Sequence, residues 1–316
     1  MAKAKVLVTG VIPEGGLTEL KQLFAVTHVD ADRDWVLAHL ADYDAFYIKD
    51  IQADKELIDA GPNLKIIVAN GVGYDHIDVA YAKEKGIVVS NCPTSVRMAT
   101  AEMTIALLLA TVRRLHYYDH TIREGQWIDV SEPVNMGMSL QDKTLGVFGM
   151  GRIGKTVTQF AQAIGMKVIY FDQYRLDRTQ EDTLGVRFVS FDELVTTADV
   201  ITLHAPALPS THEAFNAHVF KQMKPTAYFI NAARGALVNQ ADLIAALRNH
   251  DIAGAGVDVF ANEPGVPSDF YALDNIIMTP HAGTGTNESR TATAIEATEN
   301  LRSFLIDGQP KNWVNQ

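Results

Sequence analysis

The fold of this chain is decided by the stretch TLGVFGMGRIG, which occupies residues 144–154. Its first five residues are mostly apolar and predict a buried strand, and the segment KTVTQFAQAI that follows predicts a helix. Between them Gly149, Gly151 and Gly154 form a GxGxxG turn, in which the glycines permit a tight turn, a close backbone approach to a pyrophosphate and close helix–strand packing. Because the helix also presents unpaired amide groups to phosphates, the stretch predicts a dinucleotide-binding site.

A carboxylate follows the next predicted strand, where such a site meets the adenosine ribose. That strand reads VIYFD, and Asp172 ends it. The carboxylate can accept hydrogen bonds from the ribose hydroxyls and would repel a 2′-phosphate, so we expect NAD rather than NADP. Arg175 lies close enough in sequence to weaken that preference, and Asp172 taken alone could be a solvated residue at a strand end.

The rest of the chain alternates between short β-branched runs and helical patterns, which is typical of parallel sheets covered by helices. We predict strands at 5–8, 45–48, 65–69 and 87–90 in a first series, and at 144–148, 167–171, 200–203, 227–231, 256–259 and 276–278 in a second. Helices are predicted at 101–116, 240–248 and 291–305. The sequence therefore predicts an α/β protein with two doubly wound parallel-sheet domains. Gly10, Gly15 and Gly16 lack the spacing of a second dinucleotide motif and predict a turn.

The composition is that of an ordinary globular protein, because 47% of the 316 residues are hydrophobic and 21% are charged. The formal net charge of -11 argues against nucleic acid or an anionic membrane surface as a partner. We find no signal-peptide core, no apolar run long enough to span a membrane, and a single cysteine, Cys92, which can form neither an intrachain disulfide nor a thiolate zinc site. These features predict a cytoplasmic protein in which Cys92 is a small buried residue.

Three residues with acid–base or anion-binding chemistry follow different strands of the second series. They are Arg234, Glu263 and His281. A guanidinium can hold a carboxylate through two parallel hydrogen bonds, although Arg234 alone could form a surface ion pair. A neighbouring glutamate would favour the protonated imidazole of His281, which could then protonate a carbonyl oxygen while a hydride reaches the carbon. Since the carboxyl ends of parallel strands share one edge, we expect these groups, and His204 after another strand, to lie there.

Eight stretches in this order make the chain resemble the D-isomer-specific 2-hydroxyacid dehydrogenase family over essentially its whole length. They are NGVGYDHID (70–78), NCP (91–93), AEMTIALLL (101–109), GMGRIG (149–154), LHAP (203–206), INAARGALV (230–238), GVDVFANEP (256–264) and TPHAG (279–283). Members of this family often carry His where Met103 stands, and we expect this departure to affect packing near the cofactor rather than the chemistry.

The resemblance implies roles for particular residues. Arg234 would grip the carboxylate and carbonyl of the substrate, Glu263 would be the partner of the histidine, and His281 would be the acid in reduction and the base in oxidation. The loop of Asn70, Gly71, Val72 and Gly73 would offer backbone amides to the substrate carboxylate, although it could also be a plain turn. Further implied or expected cofactor contacts are Thr104, Arg152, Ile153, His204, Ala205, Pro206, Thr211, Ala232, Ala233 and Asp258, the last near the nicotinamide amide.

The resemblance also implies a domain organisation. A Rossmann NAD-binding domain at residues 99–284 would be inserted in a smaller flavodoxin-like substrate-binding domain made of residues 1–98 and 285–316. Closure of the two domains would exclude water from the path of the hydride. Since proteins of this family are dimers, we expect a homodimer, partly through the helix that starts at Ala101.

Other functions stay open at this point. Some relatives with the same fold are NAD-sensing transcriptional corepressors; the residues Arg234, Glu263 and His281 do not exclude this role, but the lack of interaction tails disfavours it. Other relatives oxidise formate or phosphite, whereas the compact length and the Glu263–His281 pair favour a small 2-keto or 2-hydroxy acid as substrate. No metal is expected, because the ten histidines show no HExxH or comparable spacing, and no GxSxG elbow indicates a nucleophilic hydrolase. Lys49, Ile51 and Tyr74 near the predicted carboxylate loop would shape the pocket, but the identity of the acid does not follow from the sequence.

Overall fold

The chain, a computed structural model, is described over residues 2–316 and forms two compact units. The first unit runs up to Arg97 and resumes at Thr284–Gln316, and the second unit is Met98–Gly283. These bounds differ by one residue from those expected from the sequence. The roles of the two units in binding substrate and dinucleotide stay predictions.

Strands and helices alternate along nearly the whole described chain. Its strands are β1 (Lys5–Thr9), β2 (Ala25–Val29), β3 (Ala45–Ile48), β4 (Ile66–Ala69), β5 (Val88–Ser90), β6 (Thr144–Phe148), β7 (Lys167–Phe171), β8 (Arg187–Phe188), β9 (Val200–Leu203), β10 (Tyr228–Asn231), β11 (Gly254–Val257) and β12 (Ile276–Met278). Its α-helices are α1 (Glu14–Leu23), α2 (Arg33–His39), α3 (Lys55–Ala60), α4 (Val79–Glu84), α5 (Arg97–Val112), α6 (Leu115–Arg123), α7 (Arg152–Ala163), α8 (Arg178–Leu184), α9 (Phe191–Thr197), α10 (Ala217–Gln222), α11 (Gln240–Arg248) and α12 (Asn287–Leu305). Within residues 2–316, none of the helices combines the length and the apolar character needed to cross a bilayer.

The first unit is a five-stranded parallel sheet in the order β2-β1-β3-β4-β5. Strands β3, β4 and β5 are buried along their whole length, as expected of a sheet that is covered on both faces. Helices α2, α3 and α4 pack on one face, and α1 and α12 pack on the other. Asp32, Asp54 and Asp78 begin α2, α3 and α4 by accepting a hydrogen bond from a backbone amide of the first turn. This strand order is the flavodoxin-like one.

The second unit is a seven-stranded parallel sheet in the order β12-β11-β10-β9-β6-β7-β8. Helices α5 and α7 pack on one face, and α9, α10 and α11 pack on the other. The strand order reverses between β6 and β9, and ligands of such sheets bind outside the carboxyl ends of the strands at this point. The predicted fold class, two doubly wound parallel sheets of which the second is a Rossmann unit, is confirmed.

Several predicted boundaries are wrong, and the reasons are tertiary. The helix predicted at 101–116 ends at Val112, because the carbonyl oxygen of Val112 accepts a hydrogen bond from the amide of Met138, 2.8 Å away, and Arg114 adopts a left-handed φ of 53° before α6. Strand β11 ends at Val257 rather than at residue 259, because Asp258 turns to the loop at 279–283. Gly15 and Gly16 belong to α1 rather than to a turn, since a bare backbone lets α1 pack on Ala294 of α12.

Two strands were missed for a different reason. The half-exposed edge strand β2 shows little apolar patterning, and β8 has only two residues. Neither carries a periodic signal that a sequence pattern can detect. The interpretation of Cys92 as a small buried residue is confirmed, because the side chain is fully buried in the core of the first unit.

Candidate active site

The glycine turn after β6 has the geometry of a phosphate-binding turn. Gly149 has a φ of 98°, and a β-carbon there would lie 2.7 Å from the backbone nitrogen of Ala205. A β-carbon on Gly154 would lie 2.3 Å from the carbonyl oxygen of Gly149, so only glycine lets α7 start this close to β6. By contrast, a β-carbon on Gly151 would enter open space, with no described atom within 4 Å. The backbone at Gly151 is thus left open, as the close approach of a pyrophosphate requires, and the residues present suit a dinucleotide.

Asp172 lies directly after β7 and is tied to the glycine turn. Its Oδ2 accepts a hydrogen bond of 2.7 Å from the amide of Met150, and its Oδ1 accepts one of 2.9 Å from the amide of Tyr174. Each carboxylate oxygen keeps a second lone pair for a further donor. The carboxylate is thus fixed beside the turn, with capacity left to accept hydrogen bonds from ribose hydroxyls.

His204 follows β9 at the same edge of the sheet, but it is not suited to proton transfer. Burial lowers the pKa of His204 to about 3, so its imidazole is neutral near pH 7. Its Nε2 lies 3.0 Å from the hydroxyl oxygen of Thr202. The structure therefore distinguishes His204 from the histidine that follows β12.

His281 and Glu263 form a direct pair. The Nδ1 atom of His281 lies 2.5 Å from Oε2 of Glu263, and Oε1 of Glu263 accepts a hydrogen bond of 2.9 Å from the amide of Phe260. Because an ionised carboxylate only accepts hydrogen bonds, Nδ1 carries the hydrogen, and Nε2 is left as the nitrogen that can exchange a proton with another molecule. The histidine side chain is 48% exposed, so this nitrogen is within reach of a ligand.

Asp258 holds the loop that carries His281. The carboxylate of Asp258 is completely buried and accepts hydrogen bonds from the hydroxyl of Thr279 (2.5 Å) and from the amides of Ala282 (2.7 Å) and Gly283 (2.8 Å). Its carbonyl oxygen also accepts a hydrogen bond from the amide of His281. These contacts stabilise the left-handed φ of 52° at His281, a conformation that non-glycine residues seldom adopt. A contact of Asp258 with a nicotinamide amide stays a prediction.

Arg234 lies in a turn that is fixed from both sides. The buried side chain of Asn231 donates to the carbonyl oxygen of Arg234 (2.9 Å) and accepts from the amide of Ala233 (3.0 Å). A β-carbon on the next residue, Gly235, would lie 2.0 Å from the carbonyl carbon of Phe260. The segments that carry Arg234 and Glu263 therefore run in direct contact at the same edge of the sheet.

The remaining residues predicted to contact a cofactor lie in two different settings. Those that line the sheet edge with some exposed surface are Arg152, Ile153, Ala205, Pro206, Thr211 and Ala233. Ala232 and Thr104 are buried, and the hydroxyl of Thr104 donates to the carbonyl oxygen of Thr100 within α5. The hydroxyl of Thr211 donates to the carbonyl oxygen of Pro206, which closes its own loop. Cofactor contacts of these residues stay predictions, and the geometry of Thr104 does not favour one.

The predicted substrate loop belongs to the first unit. It follows β4, and its residue Asn70 accepts a hydrogen bond of 2.6 Å from the hydroxyl of Tyr47. The carbonyl oxygen of Gly71 accepts from the amide of Cys92, and that of Val72 accepts from the side chain of Asn91. Within the described chain, the amides of Val72 and Gly73 donate no hydrogen bond. Amides without a partner are what the predicted carboxylate-binding loop requires.

Two residues that hold the site in place were not predicted from the sequence. Asn231 holds the turn of Arg234 by a hydrogen bond, and Thr279 donates a hydrogen bond to Asp258. Of these two residues, only Asn231 could have been identified from the sequence, since it is a polar residue at the end of an otherwise apolar strand. Among residues 2–316 no group of histidine, cysteine and acidic side chains could hold a metal ion.

The sequence of this chain is similar to a family model and to known enzymes over most of its length. The sequence model for "D-isomer specific 2-hydroxyacid dehydrogenase, NAD binding domain" matches residues 105–283. A glyoxylate reductase of Thermococcus litoralis is 36% identical over 323 residues, covering 99% of this chain and 97% of that protein.

Solved structures resemble the chain over the same length. The crystal structure of a glyoxylate reductase from Paecilomyes thermophila has a TM-score of 0.91 at 33% identity and covers 99% of both chains. An NADPH-dependent glyoxylate/hydroxypyruvate reductase from Sinorhizobium meliloti, solved with NADP and malonate, has a TM-score of 0.89 at 32% identity and covers 99% of this chain and 97% of that one. The relatives therefore agree on the type of reaction, and the enzyme from Sinorhizobium meliloti is NADPH-dependent.

Proposed function

The chain belongs to the D-isomer-specific 2-hydroxyacid dehydrogenase family, and on that premise we propose that it reduces a small 2-keto acid to the (R)-2-hydroxy acid with NADH. Glyoxylate, hydroxypyruvate and pyruvate are the substrates we favour, because the relatives named above act on acids of this size. In this proposal the second unit binds the dinucleotide, and His281 moves the proton.

The observation that carries the proposal is the hydrogen bond between Nδ1 of His281 and Glu263. When bound, the nicotinamide supplies a hydride to the carbonyl carbon in reduction and accepts it in oxidation. The imidazolium of His281 gives the proton on Nε2 to the carbonyl oxygen, and the neutral ring takes a proton back from the hydroxyl in the reverse direction. Glu263 keeps the ring oriented and compensates its positive charge. Each carbonyl that is reduced gains one hydride from the nicotinamide and one proton from His281.

Arg234 and the loop at Asn70–Gly73 complete the proposal. The guanidinium of Arg234 would hold the substrate carboxylate and polarise the carbonyl through charge-assisted hydrogen bonds. The amides of Val72 and Gly73, which donate no hydrogen bond among residues 2–316, support a contact with a carboxylate as well. Either contact with a carboxylate would explain why a 2-keto acid, rather than a simple ketone, would be the substrate.

A substrate panel tests the proposed function. Oxidation of NADH is followed with glyoxylate, hydroxypyruvate, pyruvate and phenylpyruvate, and with acetone as a ketone that lacks the carboxylate. We expect turnover of at least one of the acids and none of acetone, with an (R)-configured product from pyruvate or hydroxypyruvate. Absence of turnover with every acid, in a folded protein that binds NADH, would contradict the proposal.

We expect a preference for NADH over NADPH of on the order of 100-fold in kcat/KM, because the carboxylate of Asp172, which the amide of Met150 fixes beside the glycine turn, would accept from ribose hydroxyls and repel a 2′-phosphate. Asp172→Ala should reduce this preference about tenfold or more, because kcat/KM with NADH falls. The exposed Asp182 on α8 offers a matched control, and Asp182→Ala should leave the ratio unchanged. A wild-type ratio near one would show that Asp172 does not select the cofactor.

We also propose that the protein is a homodimer. An interface along the helix from Ala101 stays a prediction, and we propose that the segment 122–136 forms a further part of the interface. This segment exposes large apolar side chains, among them Trp127 (91%) and Val134 (74%), although the hydroxyl of Tyr118 on α6 anchors it by donating to the carbonyl oxygen of Asn135. An ordered apolar surface of this kind is typical of an interface, and a second copy of the chain is the occupant that the family resemblance favours.

Trp127→Glu should convert the dimer into a monomer, because it would place a charge in the proposed apolar contact. Sedimentation velocity gives the mass of the wild type and of the variant. Tyr271→Glu, a comparable change at another exposed aromatic residue of the second unit, should leave the mass at that of two chains. A monomeric wild type, or a Trp127→Glu variant that stays dimeric, would remove this interface.

A further inference from the structure

Arg175 is held by a buried carboxylate rather than extended into solvent. Its Nε donates to Oε1 of Glu181 and its Nη2 donates to Oε2, both over 2.9 Å. The side chain of Glu181 is only 8% exposed, whereas that of Arg175 is 60% exposed. The charged group that is buried is therefore the anion, and Arg175 lies over it as its counter-ion in a bidentate arrangement.

Glu181 is fixed by more than this ion pair. The hydroxyl of the buried Tyr170 donates to Oε1 of Glu181 over 2.7 Å and accepts from the amide of Leu176 over 3.0 Å. Arg175 and Tyr170 together hold the pKa of Glu181 at about 2, so the carboxylate is ionised at neutral pH. The guanidinium of Arg175 also lies over the ring of Phe188, with its central carbon 5.2 Å from the ring centroid.

The position of Arg175 suggests that its cluster with Glu181, Tyr170 and Phe188 also affects the choice of cofactor. Arg175 comes three residues after Asp172, in the loop between β7 and α8. In a doubly wound dinucleotide-binding unit this loop borders the adenosine ribose, and an arginine there can accommodate a 2′-phosphate. Here the guanidinium uses two of its nitrogens on Glu181 instead. If the cluster served only to fasten the loop to α8, removing it would change stability but not the choice of cofactor.

We propose that Glu181 is a specificity-determining residue, which withholds Arg175 from a 2′-phosphate and so keeps the enzyme selective for NAD. The inference rests on the proposed function, because it takes the ribose to lie beside Asp172. Glu181 acts through Arg175 rather than by touching the cofactor, so it is a positioning residue. Cofactor selectivity then has two parts, the negative charge of Asp172 and the retention of Arg175 by the buried carboxylate of Glu181.

Glu181→Gln tests the inference, because it removes the charge and keeps the shape of the side chain. We expect kcat/KM with NADPH to rise about tenfold, with kcat/KM for NADH changed less than about twofold. The gain should disappear in the double variant Glu181→Gln/Arg175→Ala. In the wild-type background Arg175→Ala should leave the NADPH to NADH ratio unchanged, since Arg175 is already engaged by Glu181. An unchanged ratio in Glu181→Gln, or a gain that persists without Arg175, would overturn the inference.

Binding of adenosine 2′,5′-bisphosphate, compared with AMP by calorimetry, separates this inference from the proposed function. A gain in bisphosphate affinity that depends on Arg175 supports the inference even if no keto acid is reduced. Normal NADH-dependent turnover with no gain in Glu181→Gln would defeat the inference and leave the proposed function intact. Melting temperatures confirm that each variant is folded. If Glu181→Gln does not fold, the affinity of Arg175→Ala for the bisphosphate tests the inference. An unchanged affinity supports it, whereas a loss of affinity would show that Arg175 already binds the phosphate in the wild type and would overturn it.

Discussion

Replacing His281 by alanine should lower kcat by about 100-fold or more and leave the affinity for NADH nearly unchanged. The variant loses the imidazole whose Nδ1 is bonded to Glu263, and with it the Nε2 that would exchange the proton. His281→Gln is the sharper variant, since its amide could still donate to Glu263 but cannot deliver a proton at neutral pH. Steady-state kinetics with the best keto acid of the panel and fluorescence titration with NADH measure both quantities.

A matched control exists for the backbone strain that alanine would meet at position 281. His250 is an exposed histidine with a φ of 55°, close to the 52° of His281, and it lies beyond α11. His250→Ala should leave kcat within about twofold, because it imposes a similar strain without removing an acid–base group. Near-normal turnover in both His281 variants would exclude His281 as the proton donor.

Arg234→Lys should lower kcat/KM for the keto acid by about 100-fold, chiefly through a higher KM for that substrate. Lysine keeps the positive charge but not the planar fork that binds a carboxylate through two parallel hydrogen bonds. NADH binding should be unaffected, which separates a substrate contact from a collapse of the site. The kinetics are measured with each substrate varied in turn, and a melting curve checks the fold.

Two further measurements sharpen the test at Arg234. Arg248→Lys changes an exposed arginine at the end of α11, which pairs with Asp269, and should leave kcat/KM unchanged. Added guanidinium ion should restore part of the activity of Arg234→Ala but none of the activity of His281→Ala, because only the first variant lacks a guanidinium. An Arg234→Lys enzyme with wild-type KM and kcat would show that this residue does not bind the substrate.

Local chemistry made part of this molecule predictable. The tight turn at Gly149 and the packing at Gly154 follow from backbone sterics within a few residues, so the glycine motif predicts the βα unit directly. The approach of Glu263 to His281 was also predictable, although the two residues follow different strands. Parallel strands bring their carboxyl ends to one edge, and residues that follow neighbouring strands β11 and β12 meet there.

Long-range contacts fixed what the sequence could not. The end of α5 depends on a hydrogen bond from Met138 to Val112, which no helical pattern predicts. The hydrogen bonds of Asp258 to the loop of His281 were not predicted, and its place near the nicotinamide stays a prediction. The engagement of Arg175 by Glu181 was not predicted either, and the effect of Arg175 on the preference for NAD stays a prediction. Such partners are set by the packing of loops and helix ends in the folded chain, which no periodic sequence pattern encodes.

A crystal structure with NAD and oxamate, an unreactive analogue of pyruvate, tests the central claim most directly. The account predicts Nε2 of His281 at about 3 Å from the carbonyl oxygen of oxamate, a guanidinium nitrogen of Arg234 at a similar distance from the same molecule, and the nicotinamide ring against its carbonyl carbon. An oxamate molecule bound with its carbonyl facing away from His281, or held without Arg234, would contradict the account.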